Sequence, residues 1–484
     1  MKACLFLQRN FAFLGHAIVL ELKELGVQEF CAYSYPMSSA TFLRTQTAIP
    51  YTDILVDEEV IEHYKDEVID YEYLKAIEEQ YGDPNLARFI FLDRFIMADY
   101  PQKSYSYDRT VSYEDALRML QLRFKAAINF LEKEKPDVMI FSAIALMSST
   151  ILYAVAKKKG IKTLQIATTR VEDRISLMTD HEVYGSILKV FERNRSGNIQ
   201  KEYFAKATKY LTEFREKPKK YLTTPLFTSP GALKRFTRAF LFFLKVIKNY
   251  YGTDLRFDYA TQTPWNFFKE RFFKVLRRWR GLSDLYELPA AEDKYIFYPL
   301  HLEPESSISL LAPFYENQIA LVRNIALAAP FGYKIYVKEH PHMVEVRPRW
   351  YYRELLNIPN VHLINTDIPS FELIKHASLV TTITGTAGWE AVLLKKPVIT
   401  FGTCFFNIFS CVKKSEHPEQ LPSLMKQLIA GFTYDEQEVI SYLAAVFEES
   451  VSSDLYNMWS STPYQQLIEG GMAKGLAEYL YRKM

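Results

Sequence analysis

The chain has 484 residues, of which 49% are apolar and 24% are charged, so it is a folded protein with room for two or three domains. A net charge of +2 gives no general attraction to nucleic acid. The four cysteines form no Cys-x-x-Cys pair, which favours structural thiols in a reducing compartment. The short apolar start is not typical of a secretory signal, and no apolar run reaches the ~18 residues of a membrane-spanning helix. These features predict a cytoplasmic protein.

The first part of the chain has the pattern of a parallel α/β sheet. Apolar segments predict strands at 3–7, 27–34, 138–143 and 162–167. A loop at 8–15 is expected after the first strand, and helices are predicted at 16–25, 57–80, 112–134 and 147–159. This strand–loop–helix–strand order is typical of a Rossmann-like domain.

A helical and basic segment follows, and we predict an insertion at 198–291. Residues 231–280 contain 12 Lys/Arg and 3 Asp/Glu, a local charge of +9. Two amphipathic pieces, 233–248 and 265–280, carry aromatic and aliphatic residues on one face and basic residues on the other. This pattern favours contact with an anionic membrane surface over contact with nucleic acid. Packing against the protein, with a solvated basic face, is the alternative.

A second strand–helix series begins at Tyr295. Strands are predicted at 295–299, 333–338, 361–364, 379–383 and 397–401, with helices at 316–329 and 370–376, and the tail after 402 is expected to be helical. The predicted fold is therefore α/β, with two Rossmann-like domains, a helical insertion and a helical C-terminal tail. The predicted limits are 1–197, 198–291, 292–440 and 441–484.

Two strand ends of the second series suggest an anion site. His340 and Pro341 directly follow an apolar strand, flanked by Lys338, and an imidazole there can donate to a phosphate. Residues 384–388 read Thr-Gly-Thr-Ala-Gly, small residues that let backbone N–H groups approach an anion. Thr384, Gly385 and Thr386 are the candidate ligands of that turn.

The helix after that turn offers its N-terminus to the same anion. Glu390, early in this helix, either accepts ribose hydroxyls or complements the helix dipole.

Three further residues are candidates for the reacting centre. Glu305 lies in His301-Leu-Glu-Pro-Glu-Ser-Ser307 at a strand exit, where it serves either as an acid/base group or as part of a helix N-cap. Asp173 follows the strand at 162–167 and is either a catalytic carboxylate or a solvated loop residue. His16, after Gly15, is expected at the first strand–helix turn.

With these residues identified, the second half resembles the bacterial capsule polysaccharide synthesis family, which includes capsule Kdo transferases. The resemblance rests on Pro299-Leu-His-Leu-Glu-Pro-Glu305, Lys338-Glu-His-Pro341 and Thr382-Ile-Thr-Gly-Thr-Ala-Gly-Trp-Glu-Ala391, with Lys396-Pro-Val398 and Phe401-Gly402. It implies a GT-B fold that binds the donor nucleotide in the C-terminal domain and the acceptor in the N-terminal domain. In similar CMP-sugar transferases a His-Pro motif and a Ser/Thr-containing turn contact the donor phosphate.

That resemblance favours Asp173 as the catalytic carboxylate of the acceptor domain, and it implies no metal and no cofactor beyond the nucleotide-sugar. Similar enzymes tend to carry Gly-Trp-Gly where this chain reads Thr403-Cys-Phe-Phe-Asn-Ile-Phe409, so the sugar stays open.

The resulting hypothesis is a glycosyltransferase at the cytoplasmic face of the inner membrane. It would move a sugar, with a CMP-linked acid sugar such as Kdo favoured, onto a lipid-linked or growing surface polysaccharide. A nucleotide-sugar 2-epimerase, a CDP-polyol phosphotransferase and a non-catalytic glycan assembly subunit are the alternatives, and fold alone does not separate them.

Overall fold

The computed structural model describes residues 1–82, 85–94, 96, 111–218, 232–252, 263–460 and 462–484, without the side chains of 232–241. The strands of this described part are β1 (Lys2–Gln8), β2 (Glu29–Tyr35), β3 (Tyr51–Val56), β4 (Val138–Phe141), β5 (Lys162–Thr168), β6 (Arg174–Met178), β7 (Tyr295–Pro299), β8 (Lys334–Lys338), β9 (Val361–Ile364), β10 (Leu379–Thr382), β11 (Val398–Thr400), β12 (Val412–Lys414) and β13 (Val451–Ser452).

Helices separate most of these strands. They are α1 (Phe11–Glu24), α2 (Met37–Arg44), α3 (Asp57–Val60), α4 (Tyr71–Tyr81), α5 (Ala87–Phe91), α6 (Tyr113–Glu134), α7 (Met147–Lys158), α8 (Gly185–Arg195), α9 (Lys201–Glu216), α10 (Ala232–Gly252), α11 (Pro264–Arg280), α12 (Ser306–Leu311), α13 (Gln318–Ala328), α14 (Arg349–Leu356), α15 (Ser370–His376), α16 (Thr386–Leu393), α17 (Leu421–Ala430), α18 (Glu436–Glu448), α19 (Leu455–Ser460), α20 (Tyr464–Glu469) and α21 (Lys474–Lys483).

The strands form two separate sheets. The first has the order β13-β6-β5-β4-β1-β2-β3, with β1 to β5 parallel and both β6 and β13 antiparallel to their neighbours. The second has the order β12-β11-β10-β7-β8-β9 and is parallel throughout. Each sheet winds outward in both directions from its first strand, which is the doubly wound Rossmann arrangement. The predicted fold class, two Rossmann-like α/β domains in a GT-B-like chain, is confirmed.

Several predicted local elements are wrong. Helix α1 begins at Phe11, so the expected loop at 8–15 ends early and His16 lies inside the helix. The acidic stretch at 57–80 is broken into α3, a short 3-10 turn and α4 rather than forming one helix. The tail after 402 contains the strands β12 and β13, which are only three and two residues long and extend the edges of the two sheets, β12 beside β11 and β13 beside β6.

The C-terminal segment returns to the first sheet. Strand β13 pairs with β6, and Arg174 donates from Nη2 to the carbonyl of Ser450 over 2.9 Å. Leu476 and Leu480 of α21 share a core with Leu14 and Ile18 of α1. The tail therefore helps to bury the N-terminal domain, while the domain limits at 197, 291 and 440 stay a prediction.

The predicted insertion contains three helices in its described part. Helix α9 buries Ala207, Leu211 and Phe214 in a core shared with residues of both sheets. Helices α10 and α11 pack on each other through aromatic rings. Within the described residues, no helix is both long and apolar enough to cross a lipid bilayer.

A buried ion pair joins α6 to the start of α3 in the N-terminal domain. Arg123 of α6 donates to both carboxylate oxygens of Asp57 at 2.9 and 2.7 Å, and the Tyr33 hydroxyl donates to the same carboxylate at 2.7 Å. Neither side chain of the ion pair is exposed. Each charge is therefore tolerated only because the other is present.

We expect Arg123→Met to lower the free energy of unfolding by about 3–5 kcal/mol, because it leaves the Asp57 carboxylate buried without its cation. The double variant Asp57→Asn/Arg123→Met should recover a large part of this loss. Lys206→Met, which breaks the exposed Lys206–Glu202 pair of α9, should cost less than about 0.5 kcal/mol. Urea-induced unfolding measures all three, and an equal cost for both single variants would contradict the dependence of the buried Asp57 carboxylate on Arg123.

Candidate functional site

Three strand ends of the second sheet meet at one point. β7 lies between β10 and β8. From β7 the chain adds β8 and β9 on one side of the sheet and then β10, β11 and β12 on the other side, so the order of the strands reverses between β7 and β10. In doubly wound sheets ligands bind in the crevice at this reversal, outside the carboxyl ends of the strands. The segments that leave these strands contain His301, His340 and Thr384, so the structure brings together three of the segments that the sequence had singled out.

His301 connects the exit of β7 to the turn after β10. Its Nε2 accepts a hydrogen bond from the backbone N–H of Thr384 at 3.3 Å and lies 3.1 Å from the hydroxyl of Thr382. Because Nε2 accepts the Thr384 N–H it carries no proton, so the Thr382 hydroxyl is the donor of that pair, and the same hydroxyl accepts the N–H of Gly385 at 3.0 Å. Burial, with the nearby charge of Arg347, lowers the pKa of His301 to about 3. The imidazole is therefore neutral and acts as an acceptor that shapes the turn.

The turn at 384–386 already uses two of its backbone N–H groups within the protein, that of Thr384 on His301 and that of Gly385 on the Thr382 hydroxyl, so an anion would meet the Thr384 hydroxyl and the N-terminal end of α16. A Cβ on Gly385 would lie 2.8 Å from His301 Nε2 and 2.8 Å from the Thr382 hydroxyl, so only glycine fits there. A Cβ on Gly388 would lie 2.7 Å from the ring of Phe406. Helix α16 begins at Thr386, directly after this turn. In the described structure the hydroxyl of Thr384 is buried and has no hydrogen-bond partner, which is unusual for a buried polar group and is typical of a site that receives a ligand.

His340 lies half-buried at the exit of β8. Its backbone N–H donates to the carboxylate of Glu339 at 2.6 Å, and its Nδ1 accepts the backbone N–H of His342 at 3.2 Å. With Nδ1 as an acceptor, the neutral ring carries its proton on Nε2. Pro341 is exposed at the start of the following turn.

Lys338 does not extend into this crevice. Its side chain is buried, and its ammonium group donates to the carbonyl of Ile368 and to the hydroxyl of Ser370. The structure therefore gives Lys338 a role in holding the segment before α15, in place of the predicted contact with a ligand.

Arg347 is a residue of this site that the sequence reasoning missed. Its guanidinium is completely buried and donates to the Glu339 carboxylate and to the carbonyl of His301, each at 2.5 Å. It also lies 3.2 Å from the Glu303 carboxylate. Arg347 thus ties the exits of β7 and β8 to each other. The signal in the sequence was indirect: Glu303 and Glu339 are carboxylates next to apolar strands, and buried carboxylates require a cation nearby.

Glu305 lies where the two domains face each other. It is the N-cap residue of α12, and burial raises the pKa of its carboxyl, while the positive charges of Arg170 and Arg94 act in the opposite direction. Both arginines belong to the N-terminal half of the chain. A second link between the halves lies close by, since Arg88 donates to the carbonyl of Leu310 at 3.0 Å. Glu305 is therefore a half-buried carboxyl in the electrostatic range of cations of the opposite domain, which suits a proton-transfer role.

The turn between β5 and β6 forms the opposite side of the domain interface. Arg170 has a left-handed backbone (φ 59°), and its carbonyl accepts the indole N–H of Trp389 in α16 at 3.3 Å. Its guanidinium lies 5.1 Å from the ring centre of Phe405 and contacts the hydroxyl of Tyr184 at 2.9 Å. The turn that contains Arg170 thus contacts the helix that follows the anion-binding turn.

Asp173 lies further along the same turn. It is exposed, and its carbonyl accepts the backbone N–H of Ser453 at 2.8 Å, which holds it toward the returning tail. Among the described residues, its carboxylate has no recorded contact with His301, His340 or Thr384. The structure therefore places Asp173 near the interface but not within the strand-end cluster.

His16 is a core histidine rather than a residue at a strand–helix turn. It is buried in α1, its Nδ1 lies 2.8 Å from the Tyr51 hydroxyl, and its ring packs against Phe42 and Tyr464. Burial lowers its pKa to about 4. The predicted placement of His16 is wrong because α1 starts one turn earlier than expected.

Glu390 lies in the second turn of α16 and is half-buried. The pKa of Tyr210 in α9 is raised mainly by burial, and then by the negative charges of Glu172 and Glu390. Glu390 therefore lies within electrostatic range of Tyr210 in α9. The predicted contact with a ribose stays a prediction.

Comparison with known proteins agrees with the resemblance stated from the motifs. Residues 270–420 match a family model described as capsule polysaccharide biosynthesis protein. The resemblance to the bacterial capsule polysaccharide synthesis family is thereby confirmed. All three strand ends of the site lie within the matched segment.

Two curated relatives match shorter segments. The capsule polysaccharide modification protein LipA of Neisseria meningitidis serogroup B is 33% identical over 85 residues, which is 18% of this chain and 12% of LipA. Protein FixF of Sinorhizobium fredii is 33% identical over 121 residues, which is 24% of this chain and 28% of FixF. The chain therefore matches less than a third of the length of these relatives.

The solved structures that resemble the chain are distant. KpsC of Thermosulfurimonas dismutans, a beta Kdo 2,4 transferase, has 12% identity and a TM-score of 0.38, with 64% of this chain and 80% of that chain covered. A UDP-GlcNAc 2-epimerase from Neisseria meningitidis has 13% identity and a TM-score of 0.28, with both chains covered completely. At these values the likeness adds nothing to what the strand order already shows.

The glycine of the turn gives a direct test of the site. We expect Gly385→Ala to weaken nucleotide binding at least ~10-fold, because the new methyl group displaces His301 or the turn itself, and such overpacking typically costs about 1–3 kcal/mol. Gly475→Ala, where a Cβ has nothing within 4 Å, is the matched control and should bind as the wild type does. Isothermal titration with the preferred nucleotide measures both, and unchanged affinity in Gly385→Ala would exclude the turn from the site.

The buried imidazole predicts a pH dependence of stability. Because the pKa of His301 falls from 6.5 in the unfolded chain to about 3 in the folded one, protonation favours unfolding between these values. Above pH 6.5 the buried His301 should therefore not reduce the free energy of unfolding. As the pH falls from 6.5 toward 3, protonation of His301 in the unfolded chain should lower that free energy progressively. The limit of this loss is about 5 kcal/mol.

We expect His301→Gln, which keeps an acceptor in place of Nε2, to flatten that acid-side decline. The measurement is urea unfolding from pH 7 to pH 4 for both proteins, and the quantity of interest is the difference between their slopes. His376→Gln, on the exposed end of α15, should retain the wild-type slope. Parallel slopes for wild type and His301→Gln would contradict the neutral, buried state of His301.

Proposed function

We propose that the protein is a glycosyltransferase that binds a nucleotide-sugar at the carboxyl ends of β7, β8 and β10. The observation that carries this proposal is the junction of His301, His340 and the Thr384–Thr386 turn at the reversal point of a doubly wound sheet. Two groups at this point can bind a phosphate: the buried Thr384 hydroxyl, which has no partner, and the N-terminus of α16. Gly385 leaves no side chain between them and His301. The match of this segment to a capsule polysaccharide biosynthesis family supports the same proposal.

In this proposal His340 and the Thr384–Thr386 turn neutralise the charge that develops on the donor phosphate as the sugar leaves. Arg347 does not contact the donor; it holds the β7 and β8 exits so that His301 and His340 keep their positions. Glu305 is the favoured acid/base group, because burial raises the pKa of its carboxyl and it faces the opposite domain. Asp173 remains the second candidate, at the rim of the same interface.

The proposed donor is a CMP-linked sugar, with an acid sugar such as Kdo favoured, and the proposed acceptor is a lipid-linked or growing surface polysaccharide. The motifs shared with capsule Kdo transferases support this choice. The proposed location is the cytoplasm, at the inner face of the inner membrane, where the basic insertion meets the lipid. No further cofactor and no metal are part of the proposal.

A nucleotide titration tests the proposal. We expect CMP to raise the melting temperature selectively over CDP, UDP and GDP, since a ligand at 100 times its Kd adds about 2.7 kcal/mol to the stability of the folded state. His340→Ala should abolish the rise, because the imidazole that contacts the phosphate is lost. His376→Ala, an exposed histidine of the same domain, should keep it.

Each other outcome redirects the assignment. A shift selective for UDP would support a UDP-sugar transferase or a 2-epimerase, which product analysis with a UDP-sugar then separates. A shift selective for CDP would support a polyol phosphotransferase. If no nucleotide changes the melting temperature of the wild type, the catalytic proposal fails and an assembly subunit is the better assignment.

A further inference from the structure

Helices α10 and α11 form a hairpin that leaves a large apolar surface in solvent. Phe242 and Phe243 of α10 pack against Phe267 and Phe268 of α11, with ring centres 5.8 and 5.5 Å apart. Of the predicted amphipathic piece 233–248, residues 233–241 lie outside the described side chains. The described part of the hairpin, 242–252 with α11, is called the basic hairpin below.

Exposed apolar side chains of α11 form one continuous stripe. Their exposed fractions are 69% for Trp265, 46% for Phe268, 57% for Phe272, 65% for Val275, 45% for Leu276 and 84% for Trp279. They recur at steps of three and four residues, which places them within an arc of about 100° on the helix. Soluble proteins rarely expose contiguous apolar patches of this kind unless the patch contacts a partner or a membrane.

Positive charge borders the stripe. Helix α11 contains six Lys/Arg and only one acidic residue, Glu270. At 100° per residue, Lys269 and Arg280 flank the stripe on one side and Arg271 flanks it on the other. The end of α10 adds the exposed Lys245 and Lys248. An apolar stripe with basic borders complements the acyl chains and anionic headgroups of a lipid leaflet.

The other side of α11 is fixed to the nucleotide domain. Arg277 donates from Nη1 to the carbonyls of Val346 and Glu345 at 2.5 and 3.4 Å, and Arg278 pairs with the Glu345 carboxylate. Arg349 donates to the carbonyl of Gly281 at 3.1 Å, just after the helix. These contacts hold α11 against the segment that contains Arg347, which in turn ties together the exits of β7 and β8.

We propose that the exposed stripe of α11, with the end of α10, lies flat on an anionic lipid leaflet. The arginine contacts at 345–349 then keep the strand-end crevice at a fixed position relative to that surface. An amphipathic helix in this orientation buries its apolar side chains at the boundary of headgroups and acyl chains without crossing the membrane. That such an orientation brings the crevice to a lipid-linked acceptor rests on the proposed function; the docking itself does not.

Vesicle flotation with the full chain tests the docking. The wild type should bind vesicles of phosphatidylcholine with phosphatidylglycerol, bind phosphatidylcholine alone much more weakly, and dissociate from the anionic vesicles at high salt. Phe272→Ser/Trp279→Ser should lower the partition coefficient at least ~10-fold, because two large apolar side chains leave the interface. Arg271→Glu/Arg280→Glu should weaken binding to anionic vesicles at least ~10-fold, since each basic residue lost costs about a factor of five.

The matched control is Phe314→Ser/Phe331→Ser, which removes two fully exposed aromatics of the nucleotide domain, 97% and 104% exposed, and should bind vesicles like the wild type. Nucleotide-induced stabilisation should be the same in all these variants, so a failure of docking is distinguishable from a failure of the proposed function.

Equal flotation of the wild type and the stripe variant would overturn the proposal, as would a wild type that fails to bind anionic vesicles. Light scattering that shows a dimer lost in Phe272→Ser/Trp279→Ser would assign the stripe to a second copy of the chain instead.

Discussion

The buried guanidinium of Arg347 is the constraint on which the candidate site depends. Glu303 and Glu339 follow apolar strands and are buried, and two carboxylates cannot share a dry interior without a cation. Arg347 supplies that charge and uses a further N–H on the carbonyl of His301. Because the same group contacts the exits of two neighbouring strands, it fixes the crevice between them. The pKa of Glu303 is nevertheless raised, because burial outweighs the attraction of Arg347 and Gln318.

Through His301 the effect of Arg347 extends to the turn after β10. A neutral imidazole can accept from the Thr384 N–H only while Nε2 is unprotonated, and burial beside Arg347 keeps it so. The arginine that orders β7 and β8 therefore also stabilises the state of His301 that orders the turn after β10. Gly385 completes the arrangement by leaving no side chain between His301 and the turn. The three strand ends form one coupled unit rather than three independent loops.

The sequence was sufficient for the features that depend on local pattern. Apolar runs of four to eight residues located most strands, and the Thr-Gly-Thr-Ala-Gly turn after a buried strand could be named as a candidate, although such turns are common between a strand and a helix. It was insufficient where partners lie far apart along the chain. The engagement of Lys338 by residues 368–370 and the role of Arg347 depend on contacts that only the folded chain creates.

Helix starts were a second source of error. Asn10 is a residue type that favours the N-cap and does mark the start of α1, but its side chain makes no capping bond, and the sequence pattern placed the helix start at His16 instead. Strand β13 was equally hidden, because a two-residue strand has meaning only beside β6.

The position of Trp389 links the strand-end crevice to the relation between the domains. This residue lies in α16, three positions after Thr386, and its indole N–H reaches across to the carbonyl of Arg170. It is buried among aromatic rings of a core to which both halves of the chain contribute. A packed core of this kind does not deform continuously, so the domains are held firmly on the α16 side.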